Sequence, residues 1–202
     1  MILGVDYYPE HWPVEMLDED IERIVKLGAN TVRIGEFAWH LMETEEGNYT
    51  FDYFDHVIEK LKRQGLKVIF GTPTATFPAW IAKKYPEVIA MREDGQRHAF
   101  GGRRLYCYNS PDYNRLSEKM VHKLLSHYKD EEAIIAWQID NELGHEGSDQ
   151  CFCPNCHTGF QAFLKDKYGT IQELNQRYGT IFWGQTYNAF HALPLQMKPI
   201  TH

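Results

Sequence analysis

Short apolar runs alternate along the chain with longer segments whose apolar residues repeat at helical spacing. The runs predict strands over residues 2–5, 31–34, 67–70 and 134–139. The longer segments predict helices over residues 13–27, 54–64, 111–128 and 158–168. More than a dozen residues separate successive strands, which is the length a parallel crossover requires. The pattern therefore predicts an α/β fold around a parallel sheet that is covered on both faces or closed into a barrel.

The residues that follow each predicted strand favour a barrel over a doubly wound sheet. No glycine-rich phosphate-binding motif follows any strand, which counts against the nucleotide-binding folds. Polar and aromatic residues follow instead: Asp6-Tyr7-Tyr8, Glu36-Phe37, Thr72-Pro73-Thr74 and Asp140-Asn141-Glu142. A (β/α)8 TIM barrel builds its active site at this carboxyl-terminal rim from about 250 residues. Four strand–helix units in 202 residues are expected to form about the first half of such a barrel.

Charge and composition exclude several classes of partner. A net charge of −7 and an acidic pI near 5.8 argue against nucleic acid as the partner. No apolar run reaches the length of a membrane span, and the first residues lack the pattern of a signal peptide. We therefore expect a cytoplasmic protein without a membrane partner, in a compartment where thiols stay reduced.

The fourth predicted strand leads directly into an amide and a carboxylate, Asn141 and Glu142. A glycosidase needs a carboxylic acid to protonate the leaving oxygen, and a neighbouring amide can bind a sugar hydroxyl. Asn and Glu are also suited to capping the start of the next helix. The dipeptide alone leaves both interpretations open.

The four cysteines give a second signal. Cys151, Cys153 and Cys156 lie within six residues, and Cys107 comes from the preceding long loop. Four thiolates suit a closed, tetrahedral structural zinc site. Two disulfides would be strained at this spacing, and a redox pair of Cys153 and Cys156 would lack a thioredoxin-like context. Zinc is the favoured interpretation.

Several motifs together resemble glycoside hydrolase family 42, the β-galactosidases with a barrel catalytic domain. They are Asp6-Tyr7-Tyr8-Pro9-Glu10-His11-Trp12, Arg33-Ile34-Gly35-Glu36-Phe37-Ala38-Trp39, Thr72-Pro73-Thr74-Ala75, Pro78-Ala79-Trp80 and Trp137-Gln138-Ile139-Asp140-Asn141-Glu142. The resemblance runs from residue 1 to about residue 195, and the four cysteines match the zinc site of many members. It implies that residues 1–202 are the N-terminal portion of a glycoside hydrolase (β/α)8 catalytic domain.

The resemblance also implies roles for individual residues. Glu142 would be the general acid/base of a retaining mechanism, and Asn141 and Arg103 would bind the galactosyl unit. The substrate would be a β-galactoside, and the assembly a homo-oligomer, a trimer in the family. The family's nucleophile is a glutamate after a later strand, so the chain is expected to be a fragment that carries only the acid/base. The alternatives are a non-catalytic, zinc-stabilised fragment that binds carbohydrate or another chain, and a redox protein.

Other residues at the predicted rim carry weaker expectations. Arg33 and Glu36 are expected to form an ion pair that supports the pocket, and Arg104 is expected to be a solvated surface arginine. Tyr7, His11 and Trp80 would either line the pocket or pack in the core. In the long loop 71–110, residues 77–80 predict a helical turn, and Asp94-Gly95 predicts a hairpin.

Overall fold

The computed structural model describes residues 1–144 and 150–195. Its centre is a parallel sheet of β1 (Gly4–Asp6), β2 (Thr31–Ile34), β5 (Lys67–Gly71) and β6 (Ile134–Gln138), in the order β1-β2-β5-β6. Between β2 and β5 the chain adds a short antiparallel hairpin, β3 (Glu43–Glu45) with β4 (Asn48–Tyr49). The four predicted strands are confirmed in number and order, with ends that shift by at most two residues.

Helices follow the strands as the apolar spacing predicts. They are α1 (Leu17–Lys26), α2 (Trp39–Met42), α3 (Asp52–Arg63), α4 (Ala79–Lys84), α5 (Pro111–Tyr128), α6 (Pro154–Tyr168) and α7 (Ile171–Tyr178). The predicted bounds of α5 are confirmed at both ends. At its start, the Ser110 hydroxyl caps the helix by accepting a hydrogen bond from the Tyr113 backbone amide. Helix α6 begins four residues earlier than predicted, because Pro154 fits its first turn. The pattern missed the short α2, and α7 was not predicted either.

The core lies between the sheet and the helices α1, α3 and α5. The side chains of Val32, Ile34, Val68 and Phe70 are fully buried, which confirms that β2 and β5 are central strands. Strand β6 is not covered on both faces, since Ile135 is 45% exposed. Strand β6 has a single neighbour among the described residues, so its outer side meets solvent.

The loop between β5 and α5 is folded rather than extended. It contains α4 where the helical turn was predicted, and an antiparallel bridge between Met91 and Arg97 around a turn with Gly95 at φ +80°. The Arg104 amide then donates to the Ala75 carbonyl at 2.7 Å. The loop therefore returns to the end of β5 and delivers residues 103–107 to the rim. No helix in the described ranges combines the length and apolar character needed to cross a bilayer.

Candidate active site

The site begins where β5 and β6 end side by side. The Thr72 amide donates to the Gln138 carbonyl at 2.9 Å, which continues the sheet by one more bond. The Asp140 amide then donates to the Thr72 hydroxyl at 2.8 Å. These bonds fix the chain at the point where Asp140, Asn141 and Glu142 leave the strand.

Two of the predicted site residues, Arg103 and Glu142, lie in direct contact. Arg103 Nη1 is 2.9 Å from Glu142 Oε2, and their side chains are 34% and 46% exposed. The two residues come from different loops, one after β5 and one after β6. Both side chains therefore face a position that a solute can reach, as a carboxyl group that exchanges a proton with a substrate must.

Asn141, the third predicted site residue, is buried beside them at 6% exposure. Its Oδ1 accepts a hydrogen bond from Gln138 Nε2 at 3.0 Å, and Gln138 also donates to the Asp140 carbonyl. Gln138, at the end of β6, thus holds the amide in one orientation. The structure brings Arg103, Asn141 and Glu142 together at one rim.

The expectation that Arg104 is a solvated surface arginine is wrong. Its side chain is 1% exposed, its Nη1 lies 3.0 Å from Asp140 Oδ1, and it also donates to the Asn141 carbonyl. A buried guanidinium needs a carboxylate partner to offset its desolvation. The one sequence signal for this pairing was Asp140 itself, a carboxylate at the end of an apolar strand.

Asp140 is the centre of this hydrogen-bond network. Its Oδ1 also accepts a hydrogen bond from the backbone amide of Asn141 at 2.6 Å, and its Oδ2 accepts one from the Tyr106 hydroxyl at 2.9 Å. Burial, followed by the charge of Asp140, raises the pKa of Tyr106, so this phenol stays a donor. The sequence alone predicts no role for Asp140 or Tyr106.

Left-handed backbone is concentrated at the same place. Among the described residues other than glycine, positive φ occurs at Arg104 (+60°), Asp140 (+57°) and Glu142 (+49°). Each such residue costs about 1–2 kcal/mol relative to ordinary backbone. Such conformations persist where surrounding contacts impose them, and they cluster at functional sites.

The predicted ion pair at the end of β2 is confirmed. Arg33 Nη2 lies 3.1 Å from Glu36 Oε1 and 2.9 Å from Asp6 Oδ2, and the Tyr8 hydroxyl donates to Glu36 at 2.9 Å. Glu36 is fully buried, and Gly71 allows its close approach, since a Cβ at Gly71 would lie 2.5 Å from the Glu36 Cβ. The Glu36 carboxylate is therefore part of the packed interior, whereas its partner Arg33 reaches outward to the exposed Asp6.

The three aromatic rim residues differ in their surroundings. Tyr7 is buried in the core, and the half-buried Trp80 packs against the core and donates to the Glu43 carbonyl at 3.0 Å. His11 is exposed and stacks on Tyr8, with ring centres 5.2 Å apart. Of the two expectations for these residues, core packing therefore holds for Tyr7 and Trp80.

Glu10 provides a pH-dependent contribution to stability. Neither carboxylate oxygen accepts a hydrogen bond from another described residue, and desolvation by burial raises the pKa of Glu10 to about 7. Because the pKa of Glu10 is higher in the folded than in the unfolded chain, folding favours the protonated carboxyl group. The stability that this preference provides is fully present below pH 4.5 and is lost as the pH rises through 7. We expect Glu10→Gln to raise the free energy of unfolding at pH 8 by up to about 3 kcal/mol and to have little effect at pH 5.

Urea unfolding of both chains at the two pH values measures this difference. Glu15→Gln, the same change at an exposed position of the neighbouring turn, is the matched control and should show no such dependence. An equal effect of Glu10→Gln at pH 5 and pH 8 would contradict the prediction.

The four cysteines form one cluster. Their sulfur atoms all lie within 4.8 Å of one another, and Cys107 Sγ is 3.4 Å from both Cys153 Sγ and Cys156 Sγ. These distances exceed the roughly 2.05 Å of a disulfide bond, so the thiols are free. The cluster joins the loop after β5, which carries Cys107, to the segment that leads into α6.

The cluster fits a metal ion in geometry and in charge. Sulfur atoms about 2.3 Å from a tetrahedral zinc ion would lie roughly 3.8 Å apart, close to the separations here. Their mutual contact lowers the pKa of Cys151 and raises the pKa of Cys107, because a thiol of one donates to the sulfur of the other. Four thiolates this close together would repel one another, and a bound dication would offset that repulsion.

Comparison with known proteins identifies the group to which this site belongs. The family model of glycoside hydrolase family 42, described as beta-galactosidase, matches residues 6–199. The chain belongs to glycoside hydrolase family 42. A beta-galactosidase of Thermus thermophilus is 45% identical over 194 residues, which are 96% of this chain and 30% of that protein.

Solved structures of family 42 members have the same fold. The chain superposes on the β-galactosidase of the psychrophilic Marinomonas ef1 with a TM-score of 0.92, 37% identity, and coverage of 100% of this chain and 31% of that one. For the enzyme of Halorubrum lacusprofundi the TM-score is 0.93, with 35% identity and coverage of 100% and 30%. The α/β, TIM-barrel fold predicted from the sequence is confirmed. The chain spans about 30% of the length of these relatives, and its sheet is part of the barrel.

Proposed function

We propose that this family 42 chain provides the acid/base side of a β-galactosidase active site. Glu142 is the general acid/base, and Arg103 and Asn141 bind the galactosyl unit. One observation supports this proposal above others: the three side chains come from two loops and converge at one rim, with 2.9 Å between Arg103 and Glu142. The relatives that match the chain are named β-galactosidases.

Each residue has a part in the proposed reaction. Glu142 protonates the glycosidic oxygen as the bond to the anomeric carbon breaks, and later removes a proton from the attacking water. The rigid amide of Asn141 binds a sugar hydroxyl, and the guanidinium of Arg103 donates to a neighbouring one. In a retaining mechanism a second carboxylate attacks the anomeric carbon. By family resemblance, that glutamate follows a later strand of the barrel.

Cys107, Cys151, Cys153 and Cys156 would hold a structural zinc ion. A closed site of four thiolates has no open coordination position, so the ion would contribute rigidity. It would tie the loop that carries Arg103 to the segment that follows Glu142. We further propose that the protein works as a homo-oligomer on a β-galactoside, without nucleic acid or membrane partners, and light scattering tests the assembly.

Azide rescue tests the role of Glu142. The experiment uses a chimera of this chain and the Thermus thermophilus β-galactosidase. The 194 residues of this chain that align with that protein replace their counterparts in it. In Glu142→Ala, 2,4-dinitrophenyl β-galactoside still forms the galactosyl-enzyme, because dinitrophenolate leaves without a proton. Azide needs no general base to attack the anomeric carbon, so it should raise kcat at least about tenfold and yield β-galactosyl azide.

Glu59→Ala, a change at an exposed glutamate on α3, is the matched control and should retain the native rate without azide. A Glu142→Ala chimera that keeps native activity on phenyl β-galactoside would contradict the proposal. A folded chimera without any galactosidase activity would contradict it as well.

A further inference from the structure

We propose that Arg104, acting through Asp140, is a positioning residue that sets the direction of the Glu142 carboxylate. This inference rests on the proposed function, because it concerns how that acid/base is held. Its structural basis is the buried network between the loop after β5 and the loop after β6. The side chains of Arg104 and Asp140 are 1% and 17% exposed, whereas those of Arg103 and Glu142 are 34% and 46% exposed.

The backbone of Glu142 needs such a support. Its φ of +49° and the φ of +57° at Asp140 place two left-handed residues around Asn141. A relaxation of either residue to ordinary backbone would turn the Glu142 side chain away from Arg103. The network is what opposes that relaxation.

Arg104 and Asp140 hold this segment at several atoms. Arg104 bonds both the Asp140 carboxylate and the Asn141 carbonyl, so one guanidinium spans two consecutive residues. Asp140 in turn accepts from the Asn141 amide and the Tyr106 hydroxyl. Together these bonds restrain the two peptide groups that precede Glu142.

Arg104 is itself fixed from the other side. Its amide donates to the Ala75 carbonyl, its φ is +60°, and its guanidinium lies over the Tyr108 ring at 5.6 Å. Tyr106 stacks on Tyr113 of α5, with ring centres 3.9 Å apart. The support thus extends from Glu142 into the core, and it belongs to the same loop that delivers Arg103.

Leaving-group dependence separates positioning from general stability. A misplaced acid harms a substrate whose leaving group needs a proton, such as phenyl β-galactoside. It spares 2,4-dinitrophenyl β-galactoside, whose leaving group departs unprotonated. A merely structural role would lower kcat/KM for both substrates alike, by reducing the folded fraction.

The test measures kcat/KM for both substrates in the Thermus chimera. We expect Asp140→Asn, which keeps the shape and removes the charge, to lower the value for phenyl β-galactoside about 10²-fold and the value for the dinitrophenyl substrate less than about 5-fold. Arg104→Lys should retain more of the phenyl activity than Arg104→Met, since it retains the charge. Asp94→Asn, at the exposed pair with Arg92 in the same loop, is the matched control and should change neither value.

Tyr106→Phe serves if the Asp140 variant does not fold, because it removes a single hydroxyl and should show a smaller loss with the same selectivity. Equal losses on both substrates, or no loss on either, would overturn the inference while the Glu142 proposal stands. A folded native chimera that hydrolyses neither substrate would overturn the proposed function and this inference with it.

Discussion

The purified 202-residue chain should show no measurable hydrolysis of 4-nitrophenyl β-galactoside. Retention needs two carboxyl groups about 5–5.5 Å apart, one as acid and one as nucleophile. Among the described residues at this rim, Asp140 is engaged by three donors and Glu36 is fully buried in its ion pair. General acid catalysis alone contributes about 10²–10⁴ in rate, against the 10⁶ or more typical of an enzyme.

The Thermus chimera, assayed at equal concentration, is the positive control for this result. The chimera should be active, so inactivity of the separate chain would not reflect a defect in residues 1–202. Glu142→Gln in the separate chain checks any residual rate. Robust turnover that this substitution abolishes would show that a carboxylate in these residues, or in a second copy, acts as nucleophile.

Zinc should copurify with the chain at about one ion per molecule. Four thiols within 4.8 Å of one another suit a closed tetrahedral site, and apparent binding free energies of such sites are on the order of 10 kcal/mol. A domain is typically stable by about 5–15 kcal/mol, so removal of the metal should lower the thermal midpoint by tens of degrees. Elemental analysis of protein purified under reducing conditions, followed by melting with and without a chelator, measures both effects.

Two substitutions define the site more closely. Cys107→Ser should reduce bound zinc to near zero, because it removes the thiolate that joins the loop after β5 to the cluster. Asn109→Ala is the matched control: its side chain donates to Cys156 Sγ at 3.4 Å without being a ligand, so zinc should remain. Native protein that contains two disulfides and no metal would exclude the site.

The sequence determined the sheet and the location of the rim. Three of the four residues of Thr31–Ile34 are β-branched, which favours a strand, and the bounds of this strand are the predicted ones. The spacing of Leu116, Met120 and Leu124 likewise fixes α5, whose buried face they form. Since parallel strands place their carboxyl ends at one edge, Glu36 and Glu142 were assigned to a common rim without coordinates. The family motifs added roles for Asn141 and Arg103.

The tertiary structure alone decided which charges are buried and which are accessible. Arg103 and Arg104 are adjacent and identical in type, yet one is one-third exposed beside Glu142 and the other is sealed against Asp140. Local sequence could not separate them, because the difference depends on a backbone at φ +60° and on partners 36 residues away. The Arg104 charge is buried because the long loop after β5 returns to Ala75, where the Arg104 amide donates to the Ala75 carbonyl. That return depends on contacts between residues distant in sequence.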